Sequence, residues 1–315
     1  MAHASFAKGI EMIRSSIDIG TNSVLLLVAE VNNGELKVLE ELLEVPRLGK
    51  GVDKNKTLDD DSIQRVLDVL EKYQKFLEAN YKESVSNTVV TATSAVRDSS
   101  NREEFMRLVK AKTGWGILLL SGDEEAITTY RGALTVLDHK YHNTANAILD
   151  IGGGSTEIAL GNGLELEEYV SLDMGSVRFS ERFFKTHPPD KYSITELKDE
   201  VKSLLNSSEL SPDHIETAIG VAGTVTSVAA IELNMDEYEV SKLNNYPLKL
   251  KTIYKFIDQF SVMSAKEMEN RYPIFLKNRG DVILGGLLIL SGFLEWAGKD
   301  EIIVSTGGIR HGVLI

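Results

Sequence analysis

The sequence predicts an α/β protein built from two related domains that face each other across a cleft. The main observation is a glycine-containing turn that occurs twice, 132 residues apart, beginning at Asp18 (DIGTNS) and again at Asp150 (DIGGGSTE). Each copy lies between two apolar stretches, and the second stretch ends at an Asn-Gly pair of the kind found in hairpins. This repeated unit, each time followed by alternating helices and strands, indicates two α/β domains with a cleft between them.

The first half of the chain continues beyond its hairpin with alternating helices and strands. Apolar residues recur at helical spacing over 58–81, and Thr57 or Asp59 can cap this helix. The next predicted elements are a strand over 85–93, a helix over 101–112, a strand over 117–120 and a helix over 126–137. The acidic segment 121–125 opens that last helix and suits the positive end of its dipole.

The second half of the chain is richer in helices. Predicted helices cover 176–185, 194–206, 224–233, 250–260, 265–270 and 281–296, and predicted strands cover 215–221 and 301–304. Both strands run into glycine turns. We expect an N-terminal domain over residues 1–125 and a C-terminal domain over 126–315, with residues 307–315 packing back on the first domain.

The composition excludes several classes of protein. The net charge of −13 argues against nucleic-acid binding, which needs a basic surface. No apolar run is long enough to span a bilayer, and residues 1–12 lack the apolar core of a secretion signal. The chain has no cysteine, so disulfides and thiolate metal sites are excluded. We therefore expect a cytoplasmic protein without nucleic-acid or membrane partners, and the helix-rich second half leaves room for a homodimer.

The two turns have the composition of a phosphate site. Glycine leaves no Cβ in the way, so backbone N–H groups and small hydroxyls can point at an anion. Candidate donors are Thr21, Asn22, Ser23, Gly152, Gly153, Gly154, Ser155 and Thr156, with Gly223 and Thr224 in a later strand-to-helix turn. Asp18 and Asp150 end buried strands and are placed to hold a cation beside that anion. The alternative is that each aspartate only stabilises its own turn.

Further motifs make the chain resemble a known family. Duplicated Asp-Gly turns resemble those of the actin, sugar-kinase and Hsp70 superfamily. Within it, the chain is similar to the exopolyphosphatase/guanosine pentaphosphate phosphatase family in a short, two-domain form. The similarity covers nearly the whole chain and includes the segments ATSAVR (92–97), SGDEEA (121–126), GGGSTE (152–157), MGSVR (174–178), GVAGT (220–224), RGD (279–281) and GIRHGVL (308–314).

The resemblance implies a fold, an activity and a set of residue roles. The fold is two ribonuclease H-like (actin-like ATPase) domains with an interdomain cleft. The activity is release of the terminal phosphate from inorganic polyphosphate or from guanosine pentaphosphate. Magnesium is the implied cofactor, with a monovalent cation such as K⁺ as an optional second ion. The resemblance places the catalytic glutamate at Glu125, metal- and water-positioning acids at Asp150 and Glu157, and phosphate-binding arginines at Arg97 and Arg279.

The acidic and histidine residues have structural alternatives. Glu124 and Glu125 are also typical acids of a helix start, and Glu157 is also compatible with an exposed strand face. His139 and His142 are three residues apart with no third ligand nearby in the sequence. We expect this pair to be exposed at the junction of the domains rather than to bind a metal.

The basic residues also have alternatives. A surface ion pair with Asp98 or Glu103 is the alternative for Arg97, and ion pairs between the domains are the alternative for Arg178 and Arg279. A long polyphosphate needs an extended basic channel. The linear order leaves open whether such a channel is formed by Lys50, Lys54, Lys56, Arg271 and Lys277.

Two other functions compete with hydrolysis. One is an ATP-dependent small-molecule kinase of the same superfamily, and the other is a non-catalytic sensor of guanosine polyphosphates. The acidic pair Glu125 and Glu157, with no legible sugar pocket, argues against the kinase. The same intact acids argue against a protein that binds without turnover.

Overall fold

The computed structural model describes residues 12–32 and 34–315, and a five-stranded sheet organises the first half. Its strands are β1 (Met12–Ile19), β2 (Val24–Asn32), β3 (Glu35–Glu44), β4 (Val89–Ala92) and β5 (Ile117–Leu119). They are arranged in the order β3-β2-β1-β4-β5. The first three strands form an antiparallel meander, while β4 and β5 run parallel to β1. The carboxyl ends of β1, β4 and β5 therefore meet at one edge of the sheet.

Helices and the core of the first half follow from the apolar pattern. The helices are α1 (Val52–Asn55), α2 (Asp60–Asn80), α3 (Ser94–Arg97) and α4 (Arg102–Thr113), with a 3-10 helix over Lys82–Asn87. The apolar face of α2 is buried against β1 and β2, and the Asp59 side chain caps the helix by accepting from two backbone N–H groups. Gly114 ends α4 in the left-handed conformation that favours glycine.

A six-stranded sheet organises the second half and repeats the plan of the first. Its strands are β6 (Ala145–Ile151), β7 (Thr156–Asn162), β8 (Glu165–Leu172), β9 (Thr217–Val221), β10 (Pro247–Lys249) and β11 (Glu301–Val304). The order is β10-β11-β9-β6-β7-β8. β6 to β8 form the meander, and β9 and β11 run parallel to β6, as β4 and β5 do to β1. The five strands of the first sheet thus each have a counterpart in the second, where β10 is an additional edge strand, and this match confirms the predicted α/β class with two duplicated domains.

The helices of the second half cover this sheet. They are α5 (Gly122–Leu134), α6 (Ser176–Phe183), α7 (Lys191–Asn206), α8 (Ala222–Glu232), α9 (Val240–Leu243), α10 (Leu250–Phe260), α11 (Ala265–Arg271), α12 (Ile283–Trp296) and α13 (Ile309–Gly312), with 3-10 helices over His139–Asn143 and Pro212–His214. α12 is apolar on nearly every side because it is the central helix of the largest core cluster. Among the helices of residues 12–32 and 34–315, none has the length and hydrophobicity needed to cross a membrane.

The structure corrects some predicted boundaries. The strand predicted over 85–93 begins only at Val89, because residues 82–87 form a 3-10 helix whose Val85 carbonyl accepts a hydrogen bond from Trp115 Nε1. The helix predicted over 126–137 starts earlier and ends at Leu134. The first hairpin joins β2 to β3 as predicted, although its Asn33 lies outside the described residues. Of the segment 1–12 considered for a secretion signal, residues 1–11 also lie outside the described residues, and Met12 begins β1.

The C-terminal segment lies between the first sheet and α5. Leu314 packs on Leu27 and Ala29 of β2, and the Ser16 hydroxyl of β1 donates to the Arg310 carbonyl at 2.6 Å. α5, which spans the predicted domain boundary at residue 125, packs on the second sheet and on α13. The division into residues 1–125 and 126–315 remains a prediction.

Candidate active site

The two glycine turns face each other at the base of a cavity of about 900 Å³. They approach so closely that a Cβ on Gly153 would lie 2.6 Å from Thr21 Cβ, and a Cβ on Gly154 would lie 2.7 Å from Ser94 Oγ. Thr21 and Ser94 share a hydrogen bond of 3.0 Å at the same place. Only glycine allows the second turn to contact the first in this way.

The first turn presents its amides to the cavity because its carbonyls are engaged elsewhere. Gly20 N–H donates to the Ser23 carbonyl at 2.9 Å and closes the turn. The carbonyls of Thr21 and Asn22 accept backbone hydrogen bonds of 2.7 and 3.0 Å from residues 47–49. Within the described residues the amides of Thr21 and Asn22 have no such partner. Adjacent free amides of this kind form a nest for an anion.

The second turn is held from behind by α6. The amide of Ser176 donates to Gly152 O at 2.9 Å, and the amides of Val177 and Arg178 donate to Gly153 O at 2.9 and 3.0 Å. In the part of the chain that the structure describes, the amides of Gly153 and Gly154 donate to no other residue. This turn therefore offers a second nest that faces the first.

Not all of the predicted phosphate donors reach the cavity. The lining includes Thr21, Asn22, Ser23, Gly152, Gly153, Gly223, Thr224 and Arg279. Ser155 is buried, and the Thr156 hydroxyl donates to Met174 O at 2.5 Å, so this hydroxyl is not free to meet an anion. Gly154 lies beneath the cavity floor against Ser94.

Four carboxylates converge beside the turns. Glu125, Asp150 and Glu157 are buried, Asp18 is partly buried, and Asp150 and Glu157 are direct partners across β6 and β7. Burial raises the pKa of Glu157 to about 8, with a further contribution from the charge of Asp150. Burial and the same charge raise the pKa of Asp18 to about 7, while burial raises the pKa of Asp150 to about 6. The pKa of Glu125 is raised by burial and then by Glu157 and Asp150. A group of acids that disfavour one another's ionisation is stabilised by a proton or a cation.

The hydrogen bonds of these acids exclude some structural alternatives. Asp150 accepts from Thr129 Oγ1 at 3.1 Å, and Asp18 has Thr91 Oγ1 at 3.4 Å, so neither carboxylate bonds to its own turn. Glu157 is not an exposed strand residue, since it is 1% exposed. Ser171 donates to Glu157 Oε1 at 2.7 Å, whereas the buried Oε2 has no hydrogen-bond partner among the residues described.

The two glutamates at the start of α5 differ in their contacts. Glu124 is exposed and forms a capping box with Ser121, with hydrogen bonds of 2.8 and 3.2 Å. Glu125 is 4% exposed and accepts from Arg97 Nη1 at 3.1 Å through Oε2. The helix-start role therefore belongs to Glu124, and Glu125 lines the cavity.

The arginines separate into two kinds. Arg97 pairs with Glu125 rather than with Asp98 or Glu103, because Asp98 is bound by Arg178. Arg178 also pairs with Asp53 of the first half at 2.8 Å. It therefore forms the ion pair between the two halves that was the alternative to phosphate binding.

Arg279 differs because no carboxylate of the described chain lies within 4.0 Å of it. Its guanidinium donates to Ser23 Oγ at 2.9 Å and to Ser227 Oγ at 3.3 Å, and it is 9% exposed. It lies against Gly223, where a Cβ would be 2.3 Å from Nη1. Burial lowers the pKa of Arg279. A buried cation held only by hydroxyls is stabilised by an incoming anion.

The carboxylates of the site fit magnesium, which keeps water ligands, better than a metal whose ligands all come from the protein. Across residues 12–32 and 34–315, no three acidic, histidine or cysteine side chains are close enough to enclose an ion. Mg²⁺ commonly keeps several waters and binds through one or two carboxylates and substrate phosphates. The unpartnered Glu157 Oε2, with Asp18 and Asp150 beside it, supplies such carboxylates. The rings of His139 and His142 meet edge to face with their Nδ1 atoms 3.2 Å apart, away from this site.

Several cavity residues were not among the predicted site residues. Ser94 and Arg310 lie in two segments of the family resemblance, 92–97 and 308–314, so a signal for them was present. Arg310 pairs with Glu41 at 2.6 Å on the cavity wall. Glu41 and Tyr238 lie in no motif, and only the folded arrangement places them at the cavity.

Comparisons with known proteins match most of the chain. The family model for the Ppx/GppA phosphatase family matches residues 27–315. The bifunctional 3-dehydroquinate synthase/phosphatase of Fusobacterium nucleatum is 36% identical over 96% of this chain, which spans 46% of that protein. Exopolyphosphatase 2 of Mycobacterium tuberculosis is 29% identical over 96% of this chain and 97% of its own length.

A third relative and a solved structure complete the comparison. The guanosine-5′-triphosphate,3′-diphosphate pyrophosphatase of Aliivibrio fischeri is 28% identical over 95% of this chain, which spans 58% of that protein. The crystal structure of the Aquifex aeolicus Ppx/GppA family member superposes with a TM-score of 0.79 at 32% identity and 96% coverage of both chains. The predicted family and the predicted class of phosphate-releasing hydrolase are confirmed. The chain belongs to the Ppx/GppA phosphatase family.

Proposed function

We propose that this protein hydrolyses the terminal phosphoanhydride bond of guanosine pentaphosphate or of inorganic polyphosphate. The observation that carries the proposal is the pair of facing amide nests with Glu125, an Arg97-bound carboxylate, beside them. Relatives named exopolyphosphatase 2 and guanosine-5′-triphosphate,3′-diphosphate pyrophosphatase support this reaction class.

The terminal phosphoryl group would bind between the two turns. The amides of Thr21, Asn22 and Gly153 would donate to its oxygens, where charge is spread during transfer. The next phosphates would meet Arg279 and the N-terminal end of α8, whose first turn has no side-chain cap. These contacts are local, so they act despite the net charge of −13.

Magnesium would be bound by one or two of the carboxylates Asp18, Asp150 and Glu157, with waters and substrate phosphates as its other ligands. When bound, it would neutralise phosphate oxygens and so allow the substrate to lie beside the four carboxylates. The optional K⁺ remains a prediction from the resemblance. The cytoplasmic location remains a prediction from the composition, and the homodimer remains a prediction from the helix-rich second half.

Glu125 would act as the general base. Arg97 occupies its Oε2, which leaves Oε1 at the cavity without a hydrogen bond from the rest of the described chain. Because the pKa of Glu125 is raised, its carboxylate accepts a proton more readily than an exposed glutamate does. A water oxygen forms the new bond to phosphorus, its proton passes to Glu125, and the oxygen of the penultimate phosphate leaves. Glu157 would help to order that water.

The outer cavity favours a short phosphate tail over a long polymer. Its wall carries apolar side chains, namely Leu42, Leu43, Val69, Ile274 and Phe275, next to the acidic Glu44 and Asp68. Of the five basic residues considered for a polyphosphate channel, Lys277 alone lines this cavity. An apolar wall with few basic residues from the predicted channel suits a nucleoside rather than successive phosphates. We therefore place guanosine pentaphosphate ahead of long polyphosphate.

A phosphate-release assay tests the proposal. Guanosine pentaphosphate, long polyphosphate and ATP are compared at equal concentrations of terminal phosphate, with Mg²⁺ and with a chelator. The expected result is Mg²⁺-dependent release that is greatest from guanosine pentaphosphate. Transfer of the phosphate to an added small-molecule acceptor would favour a kinase. Tight binding of guanosine pentaphosphate without any release would favour a sensor.

A further inference from the structure

We propose that Arg178 is a positioning residue for hydrolysis, because it holds the helix that carries Arg97 against the second glycine turn. The inference deepens the proposed function and rests on it. It goes beyond the ion pair between halves described above, since it assigns Arg178 an effect on the reacting groups.

Arg178 joins three segments through one buried guanidinium. The side chain is 7% exposed and lies in the first turn of α6. Its Nε donates to the Gly154 carbonyl, Nη1 donates to Asp53 at 2.8 Å, and Nη2 donates to Asp98. A planar guanidinium with fixed donor directions holds such acceptors in a defined relative arrangement.

The contact with Asp98 leads directly to the proposed base. Asp98 follows Arg97, the last residue of the short helix α3, and Arg97 donates to Glu125. At its other end, α3 begins with Ser94, which bonds to Thr21 and lies against Gly154. One end of α3 is therefore set by the two glycine turns and the other by Arg178 through Asp98.

The arrangement matters because Arg97 reaches Glu125 through a single hydrogen bond of 3.1 Å. A shift of α3 by a fraction of an ångström would weaken that bond and turn the carboxylate away from the attacking water. Misplacement of a reacting group by about 1 Å is sufficient to lower a rate by about a hundredfold.

Arg182 provides a matched control. It also comes from α6 and also pairs with Asp53, at 3.2 Å. It makes no contact with Gly154 or Asp98 among the residues described, and its side chain is 41% exposed. If Arg178 only joined the two halves through Asp53, Arg182 would have the same role, and the two variants would behave alike.

The test compares R178Q, R178K, D98N and R182Q in steady-state phosphate release from guanosine pentaphosphate, at a temperature where circular dichroism shows each variant folded. R178Q and D98N are expected to lower kcat by about tenfold or more, with a change in KM of less than about threefold. The R178Q/D98N double variant should be no slower than the slower single variant, because both changes break one connection. R182Q should keep kcat within about twofold of wild type.

R178K keeps a positive charge, so it tests the inference even if R178Q does not fold. It should be as slow as D98N, since a lysine cannot reach all three acceptors together. Equal losses of kcat in R182Q and R178Q, additive losses in the double variant, or a D98N enzyme with wild-type kcat would each overturn the inference. Absence of phosphate release from the wild type would instead contradict the proposed function itself.

Discussion

Replacing Gly153 by alanine should separate the two glycine turns. The new Cβ would lie 2.6 Å from Thr21 Cβ and 2.8 Å from Thr21 Cγ2. Carbon atoms pack at about 3.5–4.0 Å, so the turns must move apart by about 1 Å. The φ angle of Gly153 is not in the left-handed region, so an alanine there is disfavoured by this contact alone. We expect overpacking to cost about 1–3 kcal/mol of unfolding free energy and the displacement to lower kcat by about a hundredfold.

The assay is steady-state phosphate release, together with urea unfolding of the same samples. Gly116 provides the control, because a Cβ there meets nothing within 4 Å and its φ is also outside the left-handed region. G116A should keep wild-type activity and be as stable as wild type or slightly more so. If G153A keeps kcat within about twofold of wild type while folded, contact between the turns is not required for hydrolysis.

Three further outcomes follow from the same site. E125Q should lower phosphate release by about a hundredfold or more while substrate binding persists. E124Q should mainly weaken the cap of α5. Equal activity of E125Q and wild type would contradict the role of Glu125 as the general base. R279Q should raise KM by about tenfold or more with a smaller effect on kcat, as measured by initial rates, and an unchanged KM would contradict phosphate binding there. Burial raises the pKa values of Asp18 to about 7 and Glu157 to about 8, so the folded protein holds protons that the unfolded chain has already lost. The metal-free protein should therefore lose stability as the pH rises through the interval up to about 8, and Mg²⁺ should raise the unfolding temperature more at the upper end of that interval than below it. Equal Mg²⁺ shifts at both ends, measured by calorimetry, would contradict a metal bound by these acids.

Local pattern was sufficient to predict most elements but not their exact starts. The apolar spacing of α2 predicts a helix, and the apolar runs of β1 and β6 predict buried strands, without information from the rest of the chain. The last three residues of the 3-10 helix, 85–87, were predicted as the start of a strand because Val85 is as apolar as the valines of β4. α3 has only four residues, which is too short for any period to appear.

The partners of site residues depend on strand order, which the linear sequence does not show. Arg97 has acids at nearby positions in the chain, yet it pairs with Glu125, 28 residues away. The reason is that β4 and β5 are parallel neighbours, so the segments that follow them begin side by side. α3 follows β4 and α5 follows β5, and this adjacency places the two side chains in contact.

The proposed function also accounts for how an acidic chain can accept a polyanion. Burial raises the pKa values of all four carboxylates, and the charge of Asp150 adds to the shifts of the other three, so the metal-free site is at its most favourable when it holds protons. A cation and a phosphate together can replace those protons, because the cation compensates the acids and the amide nests compensate the phosphate. Neither ligand is well matched alone, since Mg²⁺ lacks a complete set of protein ligands and the phosphate would face uncompensated carboxylates. The same pairing explains why the acids lie beside the turns rather than being replaced by lysines. A basic site would bind phosphate more tightly, but it would provide no carboxylate to accept the proton of the attacking water.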